Sequence, residues 1–355
     1  MKKNWLALIV CLMLLIGCAP NTVQETDNVE DVLVPETTTV RMALNPSGHI
    51  LNLIAEDQGY LKDEGISVVY VPVQSDAMAF KGIMDGTIDV VSNSGTNLPL
   101  QYIADGLNLT IFGGYLLTGC MPVFTRIDTK WDGIESLIGK TMACESNVYA
   151  ISGPLLDKGY DPLNDVTWYD TESQEDRIKA VENGDAYYGL VGTSLNYSVL
   201  SNPNLKIATY AADVLPAYSC CRAEASAAWV RDNPNTVTAL LKAWIRAMEY
   251  YNSHHEEAVT LAARLLHRDE AYIRAYLDNP RFDLNTDPMK KSVIRAWNYM
   301  NSLGLLDDDA KRIDINMHVN TELYKAALDA CQKQYGETNP KFYEQLQAQY
   351  ALNNS

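Results

Sequence analysis

From residue 40 onward, short apolar runs alternate with stretches of helical period. Val40-Arg41-Met42-Ala43-Leu44 opens as a strand, and Asn45-Pro46-Ser47-Gly48 breaks it. From His49 to Gln58 the spacing is helical, with Ile50, Leu53 and Ile54 on one face. Gly59 to Gly65 turns the chain, and residues 66–73 form a second strand. Ser75-Asp76 caps a helix over residues 77–85, which Gly86 ends. A short third strand is predicted over residues 87–91. The polar loop Ser92-Asn93-Ser94-Gly95-Thr96-Asn97 then leads into a helix reaching Ala104, and residues 109–115 form a strand. A second unit repeats the alternation, with strands over 122–125, 140–143, 166–169, 186–191 and 205–209 and helices over 148–158 and 173–183. Such alternation with short connections predicts a parallel, helix-covered sheet. After Arg222 only helical period remains, over 235–252, 254–266, 270–277, 288–303 and 321–334.

The first residues are different. Lys2 and Lys3 precede an apolar run from Trp5 to Ile16, about 12 residues long and too short to cross ~30 Å of hydrocarbon. The run fits the apolar region of a signal peptide. It ends in Leu15-Ile16-Gly17-Cys18, which resembles the bacterial lipobox, where the Cys takes a diacylglyceryl group before cleavage. The expectation is a signal segment 1–17, a lipid on Cys18 and a flexible tether over 18–39, a stretch rich in Thr, Glu, Asp, Asn and Val. A plain signal peptide and a buried helix start are the other readings of the run.

Composition narrows the classes. The chain has 355 residues, 28 Lys plus Arg against 45 Asp plus Glu, and a formal net charge of −17. So acidic a chain lacks the electrostatic footprint of a nucleic-acid binder. With 47% hydrophobic and 21% charged residues it is not disordered, and its length suggests about two domains. With Cys11 and Cys18 set aside, Cys120, Cys144, Cys220, Cys221 and Cys331 remain, at spacings that match no metal motif. Buried free thiols are one reading of these.

Three segments carry a family resemblance. Leu53-Ile54-Ala55-Glu56-Asp57-Gln58-Gly59-Tyr60-Leu61-Lys62-Asp63-Glu64-Gly65-Ile66, Phe80-Lys81-Gly82-Ile83-Met84-Asp85-Gly86-Thr87-Ile88-Asp89-Val90 and Asn233-Pro234-Asn235-Thr236-Val237 each resemble stretches of one solute-binding family. That family serves ABC importers of nitrate, sulfonates, taurine and thiamine-pyrimidine precursors. The resemblance implies an α/β, two-lobed periplasmic-binding-protein type II fold with two hinge crossovers and a C-terminal helical cover. Lobe 1 would comprise residues 40–117 and 221–355, and lobe 2 residues 118–220. The crossovers would bring Cys120, Cys220 and Cys221 together, so a Cys120–Cys220 or Cys120–Cys221 bridge is implied as the alternative to free thiols. The implied partners are a small-molecule solute, the ABC permease and the membrane through the lipid on Cys18. The protein would act as an exported monomer that binds no nucleic acid and needs no cofactor or metal.

In such an architecture the solute lies between the lobes, where strand ends and helix N-termini converge, and closure buries it. The candidates are Ser47, Gly48, His49, Asp76, Asn93, Thr96 and Tyr115 in the first lobe. Glu145, Asn147, Tyr149, Tyr188, Gly192 and Tyr218 belong to the second lobe and the return. Each has a structural alternative: Ser75, Asp76 and Ser146 as helix caps, Tyr115 and Tyr218 as hinge packing, His49 as a satisfied lining residue. Glu145 is expected at a helix N-terminus facing the cleft, disfavouring a naked anion and accepting from an amine or aminopyrimidine, with Tyr115, Tyr149, Tyr187, Tyr188 and Tyr218 stacking on the ring. The rival is a sulfonate or nitrate held by the N–H groups of Ser47-Gly48, Ser94-Gly95-Thr96 and Ser146-Asn147. No Arg or Lys stands in these loops, which weighs against a doubly charged ligand. Catalysis is not expected, because no Ser–His–Asp elbow, phosphate loop or HExxH occurs. A fungal pyrimidine synthase resembles the family but carries a CCCGC cluster, of which this chain has only Ser219-Cys220-Cys221-Arg222. A sensor or adhesion protein on the same fold is a further possibility.

Overall fold

The computed structural model describes residues 33–118 and 120–355. The signal segment 1–17, the lipidation residue Cys18 and the tether up to residue 32 lie outside the described residues. Among the described residues no helix is long and apolar enough to cross a membrane.

Strand β1 (Thr39–Leu44) buries Val40 and Met42 and exposes Thr39 and Arg41, the alternation expected of a half-buried strand. It pairs in parallel with β2 (Ser67–Pro72), Thr39 opposite Ser67 and Leu44 opposite Pro72. On its other side the Met42–Val90 bridge leads to β3 (Val91–Gly95). Strand β3 pairs antiparallel with β10 (Cys221–Ser226), β10 with β4 (Leu109–Thr118), and β4 with β11 (Asp283–Leu284). A separate sheet has the order β7 (Thr167–Trp168), β6 (Thr141–Ala143), β8 (Tyr188–Leu190), β5 (Pro122–Arg126), β9 (Leu205–Tyr210). The chain leaves the first sheet after β4 and returns at β10. The expected mixture of two α/β lobes is therefore present, with antiparallel β5, β10 and β11 set against the parallel pairs β1–β2, β6–β7 and β6–β8.

Several local expectations are corrected. The third strand is Val91–Gly95, not residues 87–91. The N–H groups of Thr87 and Ile88 still bond to the Gly82 carbonyl behind left-handed Gly86, so the chain is turning there. Ser92 and Ser94 are buried strand residues rather than a loop. His49 is the N-cap of helix Ile50–Asp57 and not its first residue, with Nδ1 accepting from the Asn52 N–H at 3.1 Å. Strand β4 runs three residues past Tyr115, to Thr118, and β11 and the C-terminal helix Pro340–Asn354 carry no expectation from the sequence pattern.

The first lobe is covered by helix Pro234–Ser253, which buries Leu240, Leu241, Trp244, Ile245 and Met248 along one stripe. Its N-terminus is capped from a distance. The Glu36 carboxylate accepts from Asn235 N at 3.1 Å and Thr236 N at 3.0 Å, replacing the missing side-chain cap at Asn233. Trp244 Nε1 donates to Asn52 Oδ1 at 2.9 Å, fixing this helix on helix Ile50–Asp57.

The lobes touch on both flanks. Helix Tyr149–Asp157 packs on helix Lys290–Ser302 through Gly153, where a Cβ would stand 2.7 Å from the Tyr299 ring, and Tyr299 Oη donates to Asp157. Tyr197 and Tyr272 meet at 6.5 Å on the other side, beside an Arg281–Asp213 ion pair.

Candidate functional site

The two crossovers are where polar and aromatic side chains from both lobes meet. Each contains a non-glycine residue in the left-handed region, Met121 at φ 55° and Ala217 at φ 53°. A side chain in that conformation costs about 1–2 kcal/mol, so the surrounding packing must hold it. Next to Ala217 the return segment is gripped from both lobes. Thr96, at the end of β3, donates its hydroxyl to the Ser219 carbonyl, and its N–H bonds to Cys220 O at 3.0 Å. Tyr149, from the second lobe, places its hydroxyl 3.3 Å from both the Ser219 carbonyl and Ser219 Oγ. Tyr149 meets Tyr218 edge-to-face at 5.5 Å, and Tyr218 Oη reaches Met121 Sδ at 3.7 Å. Thr96, Tyr149 and Tyr218 are thus brought together.

The first lobe's strand-end loops are ordered by polar side chains. Asn93 Nδ2 donates to Asn45 Oδ1 at 3.1 Å, to Ser47 Oγ at 3.3 Å and to the Gly48 carbonyl. Gly48 has φ 67°, and a Cβ there would lie 2.8 Å from Leu266, so only glycine fits. His49 is 2% exposed and stacks between Tyr115, at 4.0 Å, and Trp244, at 4.8 Å. Burial depresses its pKa to about 3, so the ring is neutral. Because Nδ1 accepts, the ring proton is on Nε2, and this buried donor has no partner among the described residues. Tyr115 is hinge packing of this kind, its hydroxyl accepting from Ile50 N at 3.1 Å. Ser75 is the helix cap and Asp76 the first helical residue. Asp76 accepts from Ser94 Oγ at 2.9 Å and from Gly95 N at 3.3 Å, and burial pushes its carboxyl up.

The second lobe departs from expectation at Glu145. Its carboxylate is paired with the guanidinium of Arg177, whose side chain is 6% exposed and which also donates to Leu190 O at 3.1 Å. The following helix begins only at Tyr149, with Val148 at its N-cap, so neither Glu145 nor Ser146 caps it and the dipole argument does not apply. An arginine does therefore reach these loops, from helix Gln174–Asn183. Arg177 lies on that helix's buried face with Ile178 and Val181. Asn147 is half-buried, and Gly192 N donates to Gln174 Oε1 at 2.6 Å. Asn196, in the same loop region, is fully buried, and neither of its amide atoms has a partner among the described residues. Tyr188 is not part of the cluster: its hydroxyl donates to Lys130 O at 2.7 Å and its ring meets Trp131. Tyr187 also faces away, 43% exposed under the Lys140 ammonium.

Cys120, Cys220 and Cys221 are buried free thiols with their Sγ atoms within 4.8 Å of one another, and Cys144 and Cys331 are also free and buried. The crossovers thus bring the three sulfurs together without a bridge. Hydrogen bonds from Cys220 and Cys221 pull the Cys120 thiol down, while burial pushes Cys220 up. The sequence reading missed two buried charged residues of β10. Arg222 donates to Asp287 O and to Leu116 O at 2.6 Å, filling space left by Gly114. Neither carboxyl oxygen of Glu224 has a partner among the described residues, and burial raises its pKa well above the carboxylate range.

All of the strand-end candidates fall within one match: residues 46–258 fit the family described as NMT1/THI5 like. The chain belongs to the NMT1/THI5-like family. Among curated proteins no sequence matches it. The NMT1/THI5-like chain is similar in structure to the periplasmic aliphatic sulphonate binding protein SsuA of Escherichia coli, at 16% identity over 80% of this chain and 92% of that one, TM-score 0.66. The nitrate-binding protein NrtA of Synechocystis PCC 6803 matches at 15% identity over 84% and 90%, TM-score 0.67. The Candida albicans CA3427 gene product, described as having the generic periplasmic binding protein fold, matches at 16% identity over 80% and 97%, TM-score 0.58. At these identities the likeness shows the fold: the NMT1/THI5-like chain has the two-lobed periplasmic-binding-protein architecture.

Proposed function

We infer that this protein is the extracytoplasmic solute-binding component of an ABC importer. It holds a small polar organic solute between its lobes and performs no catalysis. The observation that carries the reading is the meeting of strand-end loops from both lobes at Ser219, through Thr96 and Tyr149. Relatives of the same fold are described as binding sulphonates and nitrate, which supports a solute rather than a macromolecule. The solute's chemistry follows from the polar groups at the strand ends. Asp76 and Glu145 supply acceptors for an amine or an aminopyrimidine of the thiamine-precursor type, and Tyr149 and Tyr218 supply aromatic surface. A sulfonate is the second reading, favoured by the unpartnered His49 Nε2–H and by Arg177. The chain is anchored by lipid on Cys18, and Cys18→Ala abolishes lipid labelling on this reading; retained label refutes the anchor. A thermal-shift screen of aminopyrimidines, amines, sulfonates and nitrate tests the rest, because a ligand of the folded state at 100 times its Kd adds about 2.7 kcal/mol. No shift with any class refutes solute binding.

A further inference from the structure

Of the polar clusters in the molecule, one has the composition of a ligand set and no place in solute recognition as derived above. Cys120 lies in the outgoing crossover, and Cys220 and Cys221 lie at the end of the return crossover. The Sγ atoms of Cys220 and Cys221 are 3.4 Å apart, and all three sulfurs fall within 4.8 Å of one another. A tetrahedral ion with Zn–S bonds of about 2.3 Å needs sulfurs about 3.8 Å apart. The observed triangle reaches that with movements of under about 1 Å.

We propose that Cys120, Cys220 and Cys221 form a three-thiolate site for one thiophilic d10 ion, Zn2+ or Cu+, that ties the two crossovers together. Thiolate sulfur selects these ions over Mg2+, Ca2+ and Mn2+, which prefer oxygen. Three-coordination suits Cu+, whereas Zn2+ takes a fourth, exogenous ligand. The ion displaces the thiol protons to solvent and changes no oxidation state. The resulting anionic site is next in sequence to the buried guanidinium of Arg222, which supplies positive charge on β10. Thr193, from the loop after β8, bonds to Cys120 and gives the cluster an outer partner from the second lobe. Because the ligands come from both crossovers, occupancy restrains rotation of one lobe against the other.

The test uses the purified, reduced, metal-stripped protein, titrated anaerobically with Zn2+ and separately with Cu+, with stoichiometry read by native mass spectrometry. Co2+ serves as a spectroscopic stand-in for Zn2+. The expected result is one ion per chain and a thiolate-to-Co2+ charge-transfer band. Cys120→Ser weakens the binding by more than about 100-fold, beyond the 10–100-fold typical of losing an outer-shell partner. Cys144→Ser and Cys331→Ser leave it unchanged. The arm with the tighter ion identifies Zn2+ or Cu+. Wild-type protein that keeps no ion after one equivalent of either overturns the proposal without reliance on any variant. So does Cys120→Ser that binds like wild type while its circular dichroism is native. Solute shifts are measured on the metal-stripped protein, so failure of one proposal is read independently of the other.

Discussion

The neutral, buried His49 makes a quantitative prediction about acid. Its ordinary pKa is 6.5, and burial lowers it to about 3 in the folded protein. The folded state therefore refuses a proton that the unfolded chain accepts below about pH 6.5. Stability is fully present above that value and is lost as the pH falls toward 3. One pKa unit is worth about 1.4 kcal/mol, so lowering the pH to about 5 costs about 2 kcal/mol through this residue alone. Asp76, Glu224 and Asp287 act in the opposite sense, because burial raises their pKa values and acid favours the folded state through them. Only a difference isolates the histidine. In His49→Asn the side chain still accepts from the Asn52 N–H as an N-cap, but it no longer titrates or stacks on Tyr115 and Trp244. Urea unfolding of wild type and variant at about pH 7.5 and about pH 5 gives four free energies by linear extrapolation. Wild type is expected to lose about 2 kcal/mol more than the variant across that interval. Parallel losses, within about 0.5 kcal/mol, would falsify the assignment of a buried, neutral His49.

Other perturbations address the interlobe contacts and the charge pair. Glu145→Ala removes the counter-charge of buried Arg177 and, with a carboxylate 41% exposed, should cost about 1–2 kcal/mol in chemical denaturation. Glu135→Ala, which breaks an exposed pair with Lys158, should cost less than about 1 kcal/mol, and equal losses would refute the burial argument. Gly153→Val drives a side chain into the Tyr299 ring, so small-angle scattering should report a larger radius of gyration and solute binding should weaken; an unchanged radius would count against this flank as a closure contact. Ala217→Gly relieves a left-handed side chain at the return crossover and should stabilise the fold by up to about 1 kcal/mol, whereas a loss beyond about 1 kcal/mol would show that its methyl packing outweighs the strain.

Hydrophobic period was enough to locate most elements, because β1 alternates strictly and helix Pro234–Ser253 carries a continuous apolar stripe. It failed at β3, where Ser92 and Ser94 are polar residues buried in a strand paired with β10. Such residues read as loop because their hydrogen-bond partners, such as Asp76 for Ser94, lie on other elements. The strand-end positions were legible for the same reason and to the same limit. Strand-end position singled out Ser47, His49, Asn93 and Thr96, but not which of them would hold the loop and which would keep a free polar atom. The gathering of Cys120 with Cys220 and Cys221 was implied by the resemblance, since crossovers of a two-lobed chain must run side by side. Arg177 and Glu224 were invisible as site residues because one is a charged position on a helix face and the other a charged position in a strand. Only packing reveals that both are buried.

The Glu36 cap bears on where the folded body can be cut. The regular hydrophobic pattern begins at residue 40, and everything before it reads as leash. A chain shortened to that point leaves the amides of Asn235 and Thr236 bare, at about 1 kcal/mol, in the helix that presents Trp244 to the His49 ring. A chain starting at Val34 keeps both bonds. Fusions and truncations on the N-terminal side therefore reach the cleft through a residue that patterning alone would discard.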